Sequence, residues 1–342
     1  MNMTELHIFR HRETSRRGSS YRRLFKGMCR YMLVVLMLAI PVLPAAAKDL
    51  KVIATIKPLY SLVASVMGDK GNLDLMVKGG LDPHIYRLKP SNIRQIHNSD
   101  VVFYIDPDME TFLKRIFKRN YGSFMAVPMA QQKEINLMPY RTSKVWYKDV
   151  VDDDETHSEG ENDLHVWLDP ANARRMVQVI EEVLSYHDPY NRLTYIENAQ
   201  KTIARLYAME EEIREKLRPL REKPMIVYHD AFQYFERAFG LKSVGAILLR
   251  SDQNPSAKHL KVLKKIARER NVTCVLGTPG AHPRIATVVM SGTKAGFGVV
   301  DPLGVYLDTE PDLYFKMMRE MTQSILDCQN KSDIFEDMNK LD

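Results

Sequence analysis

The chain has 342 residues, with 49 Lys or Arg against 43 Asp or Glu, and a pI near 9.0 that by itself would point to an acidic partner such as nucleic acid. The first 47 residues hold eight of these basic and two of these acidic side chains, so 41 of each remain and the rest of the chain is formally neutral. The basic excess therefore belongs to the N-terminus, and we exclude nucleic-acid binding.

Residues 1–47 have the layout of a secretory signal peptide. A basic segment precedes the apolar run YMLVVLMLAIPVLP, which ends on the small residues Ala45, Ala46 and Ala47. The run has 14 residues, fewer than the ~20 that cross a bilayer as a helix. We predict that residues 1–47 export the chain and are then removed, with a retained N-terminal anchor as the alternative.

Short apolar strands alternate with helices after the leader. The predicted strands in this first half are 50–56, 73–77, 101–105 and 124–129. Prolines start two of the intervening helices, at Pro90 in PSNIRQIHNSD and at Pro107 in PDMETFLKRIFKR. Strands that are apolar throughout and alternate with helices are typical of a parallel sheet covered on both faces.

Residues 141–163 interrupt this pattern, because the stretch VVDDDETHSEGEND is acidic and has almost no apolar side chains. We interpret 149–163 as a solvated acidic loop. Its His157 allows two interpretations, a weak metal-collecting role or no role beyond solubility, and solubility is favoured.

From Pro170 to about Arg218 the pattern is helical, with a break at Pro189. The second of the two helices is amphipathic, with apolar residues mostly three or four positions apart from Leu193 to Leu217. It is far longer than the mean globular helix of about 11–12 residues, which favours a strut between two lobes over an ordinary core helix.

Strands and helices alternate again after this long helix. The predicted strands of the second half are 224–230, 244–249, 272–277 and 298–304. We therefore predict an α/β fold of two (β/α) lobes with parallel sheets. The N-terminal lobe spans 48–188, a linker backbone helix spans 189–219, and the C-terminal lobe spans 220–342.

Three histidines and one aspartate lie next to predicted strand ends or helix starts. His84 follows the second strand, His165 lies just before the helix at Pro170, His229 ends the strand PMIVYH, and Asp301 ends GVVD. Ligands of open α/β sheets bind at the carboxyl ends of strands. Because imidazole suits zinc, three histidines and one carboxylate predict a closed tetrahedral zinc site, with water as the alternative to Asp301 at the fourth position.

The other histidines that follow the leader fit such a site less well. His97, His187 and His259 lie within or at the ends of polar helical stretches, and we predict that they are surface residues. His282 lies at a helix start and is a candidate for a supporting contact outside the coordination shell.

Cys274 and Cys328 are the two cysteines that remain after the leader, which itself contains Cys29. An even pair in an exported chain favours one disulfide, with two buried thiols as the alternative. A bridge between them would tie the C-terminal helix to the sheet.

Five stretches together resemble the cluster A-I substrate-binding proteins of bacterial metal ABC importers, and most of all their periplasmic zinc-binding components of the ZnuA/TroA type. These stretches are ATIKPLYSLVASVMG, LDPHIYRLKPSNIRQIHNSDVVFYIDPDMETFL, LHVWLDPANA, YHDAFQYFERAFGL and DPLG. The resemblance covers residues 49–330. It implies two (β/α) lobes joined by a rigid backbone helix, with the metal held in the cleft between them.

Carried over residue by residue, the resemblance implies a ligand set. The family's first ligand histidine falls on His84, the second, in H-x-W, on His165, and the third, in H-D-A-F, on His229. The carboxylate of D-P-L-G falls on Asp301. The resemblance also implies a disulfide like that of the zinc-binding members, here between the two remaining cysteines.

The function implied is that of a monomeric periplasmic protein that captures Zn²⁺ with high affinity and delivers it to the membrane permease of an ABC importer. A manganese- or iron-binding member of the same family is one alternative, although manganese-binding relatives tend to have Glu where this chain has His229. An exported zinc enzyme is the alternative from another class, and it would need an open coordination position and a general base. A third alternative, a surface adhesin, lacks a lipid-attachment cysteine.

Overall fold

Two four-stranded sheets form the frame of the molecule, which the computed structural model describes over residues 49–118, 124–141, 162–248 and 254–338. The strands are β1 (Lys51–Ala54), β2 (Asn72–Leu75), β3 (Val101–Tyr104), β4 (Met125–Pro128), β5 (Met138–Pro139), β6 (Asn162–Asp163), β7 (Pro224–His229), β8 (Lys242–Leu248), β9 (Cys274–Gly277) and β10 (Gly296–Val299). The N-terminal sheet has the order β2-β1-β3-β4 and the C-terminal sheet the order β10-β9-β7-β8. Strands pair in parallel within both sheets, as predicted.

Helices connect the strands in the alternating order that the sequence predicts. They are α1 (Lys57–Met67), α2 (Pro90–His97), α3 (Lys114–Lys118), α4 (Pro170–His187), α5 (Arg192–Leu217), α6 (Gln233–Phe239), α7 (Ala257–Glu269), α8 (Pro283–Met290) and α9 (Leu313–Met338). Four of them have a proline in the first turn, where its missing N–H has no helical partner to lose. Among the described residues, none of the helices has the length and apolar content that a membrane crossing requires.

The segment after β3 differs from the prediction of a helix that begins at Pro107. A short 3₁₀ turn, Thr111–Leu113, precedes α3 instead. The buried carboxylate of Glu110 accepts the backbone N–H groups of Ile105 (2.7 Å) and Asp106 (3.0 Å). These local bonds hold residues 105–110 in a turn, so the regular helix begins only after it.

The end of the predicted acidic loop is structured. Residues 162–163 form β6, which pairs antiparallel with β5 in a two-stranded ribbon. The Tyr234 hydroxyl fastens the ribbon, because it accepts the Met138 N–H (2.9 Å) and donates to the Asp163 carbonyl (2.7 Å). The rest of the predicted loop, including His157, lies outside the described residues, and so does the predicted signal peptide.

Helix α5 runs along both halves of the molecule. It packs on α1 and α4 of the first half and on α6 and α9 of the second. Its buried stripe begins at Tyr195 and ends at Leu217, so Leu193, which the sequence places at the start of the stripe, is 81 % exposed. Two ion pairs join α5 to the second half. Arg205 of α5 pairs with Asp312 (2.6 Å), and Glu212 of α5 pairs with Arg319 (2.8 Å).

One disulfide links the second sheet to the last helix. Cys274 in β9 is bonded to Cys328 in α9, with a Cα–Cα distance of 5.7 Å. Both cysteines are buried within an apolar core that extends from Leu50 of the first half to α9. The predicted pairing is confirmed, and it ties the C-terminal helix to the sheet.

Candidate metal centre

Three histidines meet at the carboxyl ends of the strands. His84 lies between β2 and α2, His165 immediately precedes the 3₁₀ turn that leads into α4, and His229 is the last residue of β7. One ring nitrogen of each lies within 4.8 Å of the other two. Since more than 140 residues of chain separate the first of them from the last, the convergence is a product of the fold.

The spacing of the three rings suits a single small cation. The Nε2 atoms of His84 and His165 are 3.5 Å apart. Two nitrogens bound to one zinc ion at about 2.0–2.1 Å in tetrahedral geometry lie about 3.4 Å apart. The ring centroid of His229 lies 6.2 Å from that of His84 and 5.4 Å from that of His165, a spacing at which a third imidazole can reach the same cation.

His229 gives the clearest sign that the centre is built for a ligand. Both of its ring nitrogens are buried, and neither forms a hydrogen bond with the described residues. Burial first, and then the neighbouring His165 and His84, lower the pKa of His229 to about 3. The ring is therefore neutral near pH 7, which leaves a lone pair to coordinate a metal. Buried polar atoms rarely stay without partners, and a cation at the centre supplies one.

His165 is held in the orientation that coordination needs. Its Nδ1–H donates to Asp163 Oδ1 (2.7 Å), and its backbone N–H donates to the same oxygen (3.0 Å). Burial alone raises the pKa of Asp163, but the contacts with His165 outweigh it and keep that pKa below its usual value. The ionised carboxylate fixes the proton on Nδ1, so Nε2 presents its lone pair to the centre.

Trp167 supports the same histidine from the side. Its ring centroid lies 5.3 Å from that of His165, and its Nε1–H donates to the Pro302 carbonyl (2.8 Å). The indole thereby joins the segment that carries His165 to the segment that carries Asp301.

Asp301 lines the same cavity, but its oxygens are outside the three-histidine group. Its carboxylate accepts the backbone N–H groups of Leu303 (3.1 Å) and Val305 within its own turn. Burial raises the pKa of Asp301, and these N–H donors partly offset the rise. Its role as the fourth ligand remains a prediction.

The cavity around these residues measures about 120 Å³. That volume accommodates a metal ion with a few waters and is below the ~300–1,000 Å³ of typical small-molecule sites. Its other walls include Met109, Trp167, Thr278 and Pro279. Met109, Trp167 and Pro279 are mainly apolar, and an apolar wall strengthens electrostatic attraction at the centre.

Sequence reasoning missed a layer of side chains behind the histidines. Gln233 Nε2–H donates to Asp163 Oδ2 (2.8 Å), and the buried Arg141 pairs with Asp230 (3.1 Å) and Glu236 (3.0 Å). Burial raises the pKa of Asp230 to about 7, although Arg141 opposes the rise. The spacing D-L-H, which puts Asp163 two residues before His165, is the one local signal that was available.

The other histidines of the described residues lie away from the centre. His259 is 1 % exposed, where a surface position was predicted, because its Nε2 bonds to the Ala246 carbonyl (2.7 Å) beneath α7. Burial lowers its pKa. His97 and His187 are partly buried, and His282 is exposed at the start of α8, outside the cavity wall where a supporting contact was predicted.

The chain is similar to known proteins of one family. The family model for ZnuA, described as zinc-uptake complex component A, periplasmic, matches residues 52–328. The high-affinity zinc uptake system protein ZnuA of Brucella suis biovar 1 (strain 1330) is 33 % identical over 306 residues, which cover 82 % of this chain and 92 % of that protein.

Solved structures share the architecture. A crystal structure of ZnuA superposes with a TM-score of 0.69 at 24 % identity, covering 82 % of this chain and 100 % of that one. The metal-dependent lipoprotein YcdH from Bacillus subtilis gives a TM-score of 0.66 at 28 % identity, covering 82 % of this chain and 98 % of that one. The predicted two-lobed α/β fold is thereby confirmed.

Proposed function

We propose, from the premise that this chain belongs to the ZnuA family of periplasmic zinc-uptake components, that it captures Zn²⁺ outside the cytoplasmic membrane and hands it to the permease of an ABC importer. The ion is the cargo of the protein. Capture requires a site that binds tightly, and delivery requires that the ion be held without chemical change.

The observation that carries this proposal is the buried, unpartnered ring of His229 at the meeting point of three imidazoles. Three nitrogen donors suit zinc and other borderline metals, whereas manganese favours oxygen donors. We therefore propose His84, His165 and His229 as zinc ligands, with Asp301 as the fourth.

A carboxylate at the fourth position closes the shell, which suits a carrier better than an enzyme. Zinc enzymes keep a position open for water or substrate. We propose that the chain has no enzymatic activity and acts as a monomer without nucleic acid. Hydrolysis assays and the molar mass of the zinc-loaded protein in solution test these points.

The organisation of the chain supports the same proposal. We propose that residues 1–47 are a signal peptide, that lobes at 48–188 and 220–342 flank the linker helix at 189–219, and that the protein works in the periplasm. The mass of the exported protein tests the cleavage site after residue 47.

Titration of the chelator-stripped protein with Zn²⁺ tests the function itself. We expect one equivalent of zinc to bind tightly, with Mn²⁺ much weaker, because the proposed donors are mainly nitrogen. Calorimetry in the presence of a competing chelator measures both affinities. Failure to bind zinc, or an equal preference for Mn²⁺, would contradict the proposal.

Asp163→Asn should weaken zinc binding by roughly 10–100-fold, the usual effect of losing a side chain that orients a ligand histidine. The variant keeps the shape of the side chain, but it removes the charge that fixes the proton on His165 Nδ1. Asp169→Asn is the matched control, because Asp169 caps α4 through the Ala171 N–H and Asn caps equally well. Equal zinc affinities in the two variants would refute the orienting role.

A further inference from the structure

Lys57, which is not one of the proposed ligands, forms hydrogen bonds between the two halves of the molecule. It lies at the start of α1, and its Nζ donates to the carbonyls of Gly304 (3.0 Å), Val305 (3.0 Å) and Leu307 (2.8 Å). These acceptors are about 250 residues away in the chain, in the turn 301–307 that follows β10. An ammonium group has three donors, and all three are used on this one turn.

Two backbone N–H groups of the same turn bond to Asp301. The Asp301 carboxylate accepts the N–H groups of Leu303 and Val305, while Lys57 takes carbonyls of the same turn. The turn is therefore held between a carboxylate of its own half and an ammonium group of the other half. A displacement of the turn away from Lys57 would carry the carboxylate with it.

The same turn touches the segment that carries His84. Gly80 has a φ of +72°, and a Cβ atom on it would lie 2.4 Å from Val305 Cγ1. Glycine is required there both for the backbone angle and for the close approach. Lys57 thus holds the Asp301 turn against the loop from which a proposed ligand projects.

We infer that Lys57 is a positioning residue for the metal centre: it sets the distance of the Asp301 carboxylate from the three histidines. The inference rests on the proposed function, since it assumes that zinc is bound there and that Asp301 contributes to its binding. The physical reason is that three charge-assisted bonds restrict the turn to one preferred position. Without those bonds the carboxylate is no longer fixed next to the metal.

Lys57→Met tests the inference, because it keeps most of the side-chain volume and removes the donors. We expect the Kd for zinc to rise by roughly 10–100-fold, the range for supporting residues at metal sites. Most of the change should appear in the dissociation rate, because closely related complexes differ mainly in that rate. Stopped-flow transfer of zinc to a chelator in excess measures it.

A double-mutant cycle with Asp301→Asn separates positioning from general stability. If Lys57 acts through Asp301, the double variant should bind zinc no more weakly than Asp301→Asn alone. With Co²⁺ in place of zinc, Lys57→Met should change the visible absorption in the same direction as Asp301→Asn. Loss of stability alone would leave the spectrum of the bound Co²⁺ unchanged.

Ser65→Ala is the matched control. Ser65 also lies on α1 and also bonds across the molecule, but to the Pro311 carbonyl (3.0 Å), outside the turn 301–307. We expect it to bind zinc and Co²⁺ as the unaltered protein does. Lys57→Arg, which retains a cation, provides a second test if Lys57→Met does not fold, and it should shift affinity and spectrum in the same direction by a smaller factor.

Two outcomes would overturn the inference alone. One is unaltered zinc affinity in a folded Lys57 variant. The other is a double variant whose fold-loss of zinc affinity equals the product of the losses from Lys57→Met and Asp301→Asn. In both, the unaltered protein and Ser65→Ala would still bind zinc tightly. Failure of the unaltered protein to bind zinc would instead overturn the proposed function, and the inference with it.

Discussion

His229→Ala is expected to lower the affinity for zinc by at least about 100-fold, because it removes a proposed ligand and loss of an orienting partner alone costs about 10–100-fold. Of the three imidazoles, this one has no hydrogen bond to any described residue through either nitrogen. We therefore expect the His229 ring to stabilise the bound metal more than the metal-free fold. Competition against a chelator of known affinity measures the loss.

The same variant should leave the metal-free protein nearly as stable as before. Removing the ring costs packing, but it also removes two buried polar atoms that lack partners, and the two effects oppose each other. Denaturant unfolding in the presence of chelator checks this and separates loss of a ligand from misfolding. His282→Ala is the control, because that side chain is exposed outside the cavity. Unchanged zinc affinity in His229→Ala would eliminate the proposed ligand set.

Removal of the Cys274–Cys328 disulfide is expected to lower the melting temperature substantially. The bridge closes a loop of 54 residues, for which chain entropy predicts about 4 kcal/mol of stabilisation. For a chain of this size that corresponds to a drop of roughly 5–15 °C. Calorimetry of the double variant Cys274→Ala/Cys328→Ala, with chelator present in all samples, measures it without interference from metal.

Thiol alkylation under denaturing conditions provides the chemical check on this expectation. The protein recovered after export should take up no label at either cysteine until it is reduced. Two labelled cysteines without reduction, or a melting temperature unaffected by the double substitution, would contradict a stabilising bridge.

The two sheets and most of the helices were predicted correctly because the sequence signals for strands and helices are local. Apolar runs, prolines in first turns and histidines at strand ends can each be read within a few residues, and the sheets and the three-histidine cluster follow from them. Resemblance to a family added the pairing of segments far apart in the chain. The side chains behind the histidines were missed. The composition around Asp163 predicts a solvated acidic loop, and Lys57 bonds to a turn about 250 residues away in the chain.

The wrong predictions, the start of the helix at Pro107 and the surface position of His259, have the same origin. The helix predicted at Pro107 yields to the buried carboxylate of Glu110, and His259 is buried because its ring meets the carbonyl of a strand that its own helix covers. Both depend on which element lies opposite in the folded molecule. Periodicity within one helix contains no information on that.

The unpartnered ring of His229 has a consequence for how long each copy of the protein survives. A folded molecule without zinc has two buried imidazole nitrogens on His229 with no hydrogen-bond partner among the described residues, and a bound zinc ion would provide a partner for one of them. Free zinc at 100 times the Kd adds about 2.7 kcal/mol to the free energy of unfolding, provided that the unfolded chain does not bind zinc. The equilibrium population of the unfolded state should then be about 100 times larger without zinc, so we expect the zinc-free protein to be digested sooner by an added protease.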